Sequence, residues 1–574
     1  MLQSDRALAD TGSPEALSVT AFAAREAGAE RMPPAGKLLP VEAAHRWRSI
    51  ETPAGRLNAV GDPAAEKAVT PLLAAGHLPA AMALAAALAP VRGFWALLLE
   101  GPAGLLAAVD HVRSLPLFYA QAPGGPAIGD DARAVAAAAG LHAIDPIAAE
   151  DLALAGYATG SWTLLAGLSQ LVAGEVAVWP AGGPPARARH HEYKPPESEG
   201  AAPIAARDLG VALDAAVDRL LVRAAGRPIG VPLSGGLDSR FVLAKLVERG
   251  HKLLFSFSYG PKKNSDAEIA RLVAERLGVE WRFVATSGSQ IRSFFESSAR
   301  REYWRFADGL AALPSMQDVN PIGVLRATGG MPADAIVVNG NSGDFISGAH
   351  IPSKLVNAGI VQPTELLDAL IDKHFSLWRS LLSAERRRAI RKRIAEATGL
   401  DPVGPVMAPT AAASVYERYE YAERQSKFVV NGQRSYEWHG LEWHLPLWDR
   451  DVVDLFARAP LADRAHQSLY RRYLNEWNYR GVFTGINRRV TAWPRLTSAL
   501  LAPIAVGLRL AVGRSRRDRA FRYLNYFDRF GDHYKAFGFR EFARCAQDAR
   551  NPAALYVRTW LRENGVAFEQ LPGA

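Results

Sequence analysis

The sequence predicts an α/β protein in two parts. An α+β arrangement of stacked sheets and helices comes first, and a doubly wound parallel sheet with a mostly helical C-terminal part follows. Three observations predict it. Apolar runs at 94–99 and 105–109 flank Glu100-Gly101-Pro102-Ala103-Gly104, which has the composition of a hairpin loop. The apolar run 228–233 leads into Ser234-Gly235-Gly236-Leu237-Asp238-Ser239 and at once into a helical pattern over 241–247, which reads as strand, glycine-rich turn, helix. Beyond that point strands and helices alternate, the rhythm of a parallel sheet whose ligand lies outside the carboxyl ends of its strands.

In chain order, residues 1–90 are rich in alanine and proline with weak periodicity. Strands are predicted at 94–99, 105–109, 117–120 and 175–179. The stretch 180–203 holds Gly182, Gly183, Pro184, Pro185, Pro195, Pro196 and Gly200 and reads as a linker between a domain at 1–190 and one at 204–574. A helix over 205–227 precedes the turn. A strand at 253–258, a helix at 266–277 and strands at 281–285 and 335–338 come after it. From about residue 364 the pattern is helical.

Composition excludes several classes. Hydrophobic content of 49% and charged content of 22% are those of a folded globular protein, and 574 residues suit two domains. The single cysteine, Cys545, excludes a disulfide framework and a multi-cysteine zinc site, and fits the cytoplasm. The first residues lack the apolar core of a signal peptide, and the longest apolar stretch, 499–513, contains Pro503 and Arg509 and is too short to span a bilayer. It reads as a buried helix, with an interfacial helix as the alternative. The formal charge is +9, with clusters at 386–388, 391–393 and 516–517. These read as solvated helix faces, with an anionic substrate or polymer as the alternative; no nucleic-acid partner is expected.

The turn carries the chemistry. Its glycines let backbone N–H groups approach an anion, the helix start favours negative charge, and Ser234 and Ser239 add hydroxyl donors. Bare phosphate would repel Asp238, so a bridging Mg²⁺ is expected. The Gly-Lys-Ser/Thr ending of a Walker loop is absent.

The six residues 234–239 resemble the pyrophosphate loop of the N-type ATP pyrophosphatases. Residues 257–278 and the segment Asn339-Gly340-Asn341-Ser342-Gly343-Asp344 are similar to the corresponding segments of asparagine synthetase B-type enzymes, as is Gly440-Leu441-Glu442-Trp443-His444-Leu445-Pro446-Leu447-Trp448-Asp449. Residues 110–119, 128–131 and 168–174 resemble that family's glutaminase domain. The resemblance implies an N-terminal glutamine-amidotransferase-like (Ntn) sandwich and a PP-loop synthetase domain. It implies ATP and Mg²⁺ as cofactors. Leu233, Ser234, Gly235, Gly236, Leu237, Asp238, Ser239, Tyr259, Asn339 and Gly340 would surround the nucleotide, and Asp238 and Asp344 would hold metal. Arg488, beside Arg489, stands where the family has a lysine near the reacting phosphate, although arginine does not replace lysine freely.

Departures narrow the reading. The family's glutaminase uses an N-terminal cysteine; position 2 here is Leu2, and Cys545 lies far away, so the first domain is expected to be vestigial. Asn341 and Phe345 stand where acidic residues are common, which disfavours aspartate as substrate. The expected activity is adenylation of a small-molecule or peptide carboxylate and its coupling to an amine, as in lasso-peptide cyclases and β-lactam synthetases, which also lack that cysteine. Asparagine synthesis proper, amidation in a polysaccharide pathway and a non-catalytic nucleotide-binding scaffold are the alternatives. Pathway partner proteins and a homodimer are compatible with it. Tyr416, Tyr419, Tyr421, Tyr436, Trp438, Trp443 and Trp448 read as core aromatics, or as a peptide groove; His350, His439 and His444 read as structural.

Overall fold

The computed structural model describes residues 37–39, 47–262, 264–486, 523, 526 and 529–571. Ten strands come from its first part: β1 (Lys37–Leu38), β2 (Arg48–Thr52), β3 (Gly55–Gly61), β4 (Trp95–Gly101), β5 (Gly104–Val109), β6 (Phe118–Ala122), β7 (Gly125–Gly129), β8 (Ser169–Gln170), β9 (Glu175–Pro180) and β10 (Ala186–Arg189). Six form an antiparallel sheet in the order β10-β9-β5-β4-β3-β2, and the other four form β1-β7-β6-β8. Alternation along β4 and β5 decides the layering. Leu97, Leu99, Leu106 and Ala108 face the helices Ala64–Leu73 and Ala81–Leu88. Ala96, Leu98, Leu105, Ala107 and Val109 face Leu117, Tyr119 and Ile128 of the second sheet. The far side of that sheet, Phe118, Ala120 and Ala127, packs on the helices Ala132–Ala138 and Pro146–Ala155. The result is four layers: helix, sheet, sheet, helix.

The expected strands at 94–99, 105–109, 117–120 and 175–179 correspond to β4, β5, β6 and β9. The stretch 180–203 is only partly a linker. Gly182 to Pro185 make a turn, and β10 returns antiparallel onto β9 with Ala186 opposite Val178. His190, His191 and Tyr193 then run into the interior. Turn residues were read as a linker where they form a hairpin.

The second sheet system is β11 (Ile229–Pro232), β12 (Leu254–Gly260), β13 (Glu280–Ala285), β14 (Ile336–Val338) and β15 (Glu442–His444). All pairs are parallel, in the order β13-β12-β11-β14-β15. Ile336 and Val338 face the helices Ala206–Ala224 and Leu237–Glu248, whereas Val337 faces Ile322 and Tyr436 on the opposite side. Burial on both faces explains the unbroken apolar runs. The strand order reverses between β11 and β14. β15 interrupts a region expected to be helical; three residues are too few to override the helical patterns on either side.

One apolar cluster crosses the molecule, joining Phe118 and Leu152 to Trp304, Tyr416 and Trp560. Tyr416, Tyr419, Tyr421, Tyr436 and Trp448 are each buried to 4% exposure or less, which makes them core and not a groove. The basic clusters are largely paired: Arg386 with Glu150 at 2.8 Å, Arg387 with Asp372 at 2.6 Å, Arg391 with Asp368 at 2.5 Å and Arg393 with Asp151 at 2.6 Å. Residues 499–513, Arg516 and Arg517 lie outside the described residues. Among the described residues no helix is long and apolar enough to cross a membrane.

Where the two sheet systems meet, His111, His190 and His191 are buried. His111 Nε2 lies 2.8 Å from the Trp448 carbonyl and His190 Nε2 2.8 Å from that of Val109. Burial lowers the pKa of all three, that of His190 to about 4; Arg450 and the neighbouring rings add to this, while Asp454 and Glu192 oppose it at His191. The unfolded chain therefore binds more protons than the fold below the ordinary value of 6.5. Their contribution to stability is full above that pH and is lost as the pH falls below it, for His190 by about 1.4 kcal/mol per pH unit until about pH 4. Urea unfolding between pH 7.5 and 5 should show this loss, and His190→Gln should flatten the slope by one ring's share.

Candidate functional site

The strand order reverses between β11 and β14, the place where α/β sheets bind ligands, and the turns that follow these two strands meet beyond their carboxyl ends. The first follows β11. Leu233 is buried, and its N–H still bonds the Phe257 carbonyl at 2.8 Å; the chain then leaves the sheet. Ser239 Oγ accepts from Ser234 N and contacts Ser234 Oγ, both at 3.1 Å, and Gly236 N donates to Ser234 Oγ at 3.2 Å. Gly236 caps the helix Leu237–Glu248 without a side chain, which leaves the first N–H groups open to an anion. Behind the turn, buried Arg240 donates to the Gly235 carbonyl at 3.0 Å and to that of Val482 at 2.8 Å.

The second turn follows β14 and crosses directly over the first. A Cβ on Gly340 would lie 2.6 Å from Ser239 N and 2.7 Å from the Asp238 carbonyl carbon. One on Gly343 would lie 2.6 Å from the Asp238 carboxyl carbon. Glycine at both positions lets Asp238 and Asp344 meet, and Asp344 N donates to Asp238 Oδ2 at 2.9 Å.

The electrostatics of the pair are uneven. Burial, and then the charge of Asp344, push the Asp238 carboxyl up to about 7 against the hydrogen bonds from Tyr470 and Asp344 N. No Lys, Arg or His forms an ion pair with Asp238 among the described residues. Burial also raises Asp344, but His350 outweighs it and holds this carboxyl below its ordinary value. The Asp344 side chain is 54% exposed. A half-buried carboxylate that makes no ion pair among the described residues, eased by the more distant charge of Arg471, beside an exposed one fits a divalent cation. No group of three or more His, Cys, Asp or Glu side chains among the described residues could hold a metal alone. A Mg²⁺ here would take the two aspartates and complete its shell with phosphate oxygens and water.

Of the other residues singled out in the sequence, Tyr259 ends β12 with its hydroxyl on Asp318. Asn339 is buried and donates to Tyr436 Oη at 2.9 Å, and that hydroxyl bonds Asp318 at 2.9 Å. Asp318 thus ties the ends of β12 and β14 together. Arg488 and Arg489 lie outside the described residues. His439 contacts the Val319 carbonyl at 2.7 Å and His444 is buried, both structural as expected. His350 differs: it bridges Asp344 at 3.2 Å and the buried Glu420 at 2.6 Å. Sequence reasoning missed Glu420, Tyr470 and Asp318, whose spacing from the turns carries no local signal.

Residues 208–301 match the family model described as Asparagine synthase. The matched stretch is asparagine-synthetase-like and contains β11, the 234–239 turn, β12 and β13. No curated protein matches the chain.

Gly340→Ala forces a Cβ against backbone that has no rotamer to yield. It should cost about 1–3 kcal/mol in chemical denaturation. Gly124→Ala, whose Cβ meets nothing within 4 Å, should stay within about 0.5 kcal/mol.

Proposed function

We propose that this chain is an ATP-dependent amide ligase that adenylates a carboxylate, releases pyrophosphate and couples the acyl group to an amine. The reading rests on one observation: the turns after β11 and β14 converge on a carboxylate pair at the point where the strand order reverses. The family match at 208–301 supports it, because the asparagine synthetase family makes amides at the expense of ATP.

Ser234, Gly235, Gly236, Leu237, Asp238 and Ser239 cradle the outgoing pyrophosphate through backbone N–H groups and hydroxyls, while Leu233, Tyr259, Asn339 and Gly340 border the nucleotide. Asp238 and Asp344 hold Mg²⁺, which when bound neutralises the phosphate charge. The substrate carboxylate attacks the α-phosphorus, pyrophosphate leaves, and the amine then displaces AMP from the acyl group. Arg488 supports the developing charge; sequence correspondence alone assigns it.

We read residues 1–190 as a glutaminase-like (Ntn) sandwich without glutaminase activity and 204–574 as the synthetase. The four-layer stacking supports the first assignment. No cysteine lies in 1–190, and Cys545 is buried with Arg558 Nη1 3.0 Å from its sulfur. Ammonia or a substrate amine is therefore the nucleophile. Phe345, where an acid is common in the family, is buried against Trp448 with the rings stacked at 5.8 Å, so no carboxylate at this position assists an amino-acid substrate. That favours an acid other than aspartate, as in the lasso-peptide cyclases, over asparagine synthesis or sugar amidation.

Exchange of labelled pyrophosphate into ATP across a panel of carboxylic acids and peptides tests the reading. Exchange with at least one acid is expected; silence throughout points to a nucleotide-binding scaffold, and asparagine from aspartate and ammonia points to the synthetase proper. Asp238→Asn should cut exchange by about 10²-fold or more with the melting temperature preserved, since a neutral isostere is easily accommodated at a desolvated site. Cys545→Ala should leave exchange within about twofold, since the thiol is remote from the turns, and neither protein should hydrolyse glutamine.

A further inference from the structure

We propose that His350 and Glu420 are positioning residues for Asp344: the buried Glu420 fixes the imidazole, and the imidazole fixes the exposed Asp344 carboxylate in the orientation that receives a divalent cation together with nucleotide phosphates. This rests on the assignment of Asp344 to the metal.

Asp344 needs such support. It sits in a four-residue helical turn, Gly343–Ile346, too short to be rigid by itself, and its side chain is more exposed than buried. Both of its oxygens are nonetheless held. Oδ1 accepts from Phe345 N at 2.8 Å, and Oδ2 lies 3.2 Å from His350 Nε2. The ring cannot swing away. Its Nδ1 lies 2.6 Å from Glu420 Oε1, and its edge packs on Phe345 with centroids 5.8 Å apart. Each ring nitrogen thus faces a carboxylate oxygen.

Glu420 is wholly buried and anchored in turn. Gln425 Nε2 donates to Oε1 at 3.0 Å and Arg424 lies 3.6 Å from it. Glu420 ends the helix Pro409–Glu420, where the chain widens into the π-helix Tyr421–Val429. That wide turn brings Arg424 and Gln425 back toward the carboxylate, and π-turns recur where side chains need unusual placement.

A buried carboxylate is costly, and an ion pair made only for stability would end at His350. This one continues to an exposed carboxylate where the turns meet. Outer partners that orient a ligating carboxylate cut the freedom it loses on binding, and their loss typically weakens metal binding by about 10–100-fold.

The test uses Mn²⁺ and α,β-methylene-ATP, with bound Mn²⁺ read from the electron paramagnetic resonance signal of the free ion. The full chain should bind Mn²⁺ only together with the nucleotide. His350→Gln and Glu420→Gln should each raise the Mn²⁺ dissociation constant about tenfold or more while the melting temperature holds. On an Asp344→Asn background neither should add a further loss, because both act through that carboxylate. Unchanged Mn²⁺ affinity in folded His350→Gln, or full additivity with Asp344→Asn, would overturn the proposal and leave the metal assignment standing. Unchanged affinity in Asp344→Asn itself would instead remove the metal assignment and the positioning role with it. If Glu420→Gln does not fold, His350→Gln carries every arm alone.

Discussion

Two backbone turns pressed to contact beneath one carboxylate set the rest of this site. Gly340 lies over the first turn of the helix Leu237–Glu248 and Gly343 lies against the Asp238 side chain, where no Cβ fits. That contact half-buries Asp238 and brings Asp344 to it, so two carboxylates are held together at the positive end of a helix. Folding therefore stores an electrostatic imbalance where the turns meet. Under the proposed function a cation and phosphate together would relieve it, the cation offsetting the aspartates and the phosphates completing a coordination shell that two carboxylates leave incomplete.

The two sides of the site are built differently. On the nucleotide side each part comes from a strand end and the residues just after it, supported by Arg240 behind the turn and Asp318 beneath Tyr259 and Asn339. Behind Asp344, Phe345, Tyr193, Tyr421 and Trp448 pack into a buried aromatic cluster, with Tyr193 stacked on Tyr421 at 4.9 Å. Tyr421 also donates to the His111 carbonyl at 2.8 Å, so the cluster belongs equally to the junction with the four-layer sandwich. Under the proposed vestigial reading the sandwich keeps a physical purpose, since it contributes packing behind the proposed site.

Legibility in the sequence follows the same division. The 234–239 turn is local, since strand, glycines and helix occupy twenty consecutive residues and each has its own pattern, so its position and the parallel sheet around it can be read directly. β4, β5, β6 and β9 are legible because their apolar runs are long. β2, β3, β7 and β10 are short, glycine-containing or edge strands stabilised by pairing more than by pattern, and β15 has three residues. In 180–203 the same prolines and glycines that mark a linker also mark a hairpin; only the partner strand decides between them. His350 looks structural in the sequence because Glu420, which gives it a role, is seventy positions away and has no spacing rule.

That asymmetry bears on where specificity resides. The turn proposed to hold phosphate is constrained by a fixed chemistry and a local fold, and the family match at 208–301 contains it. The side chains packed around Phe345 and His350 come from four separated segments, around 193, 345–350, 420–425 and 448. Each can change without disturbing the turn, because contact among them is made by side chains and not by backbone crossing. A chain could thus keep the activation of a carboxylate while replacing the polar residues around an amino-acid substrate with Phe345 and Asn341. The arrangement here has that form: the carboxylate pair is intact, and Phe345 lies in the apolar packing behind it.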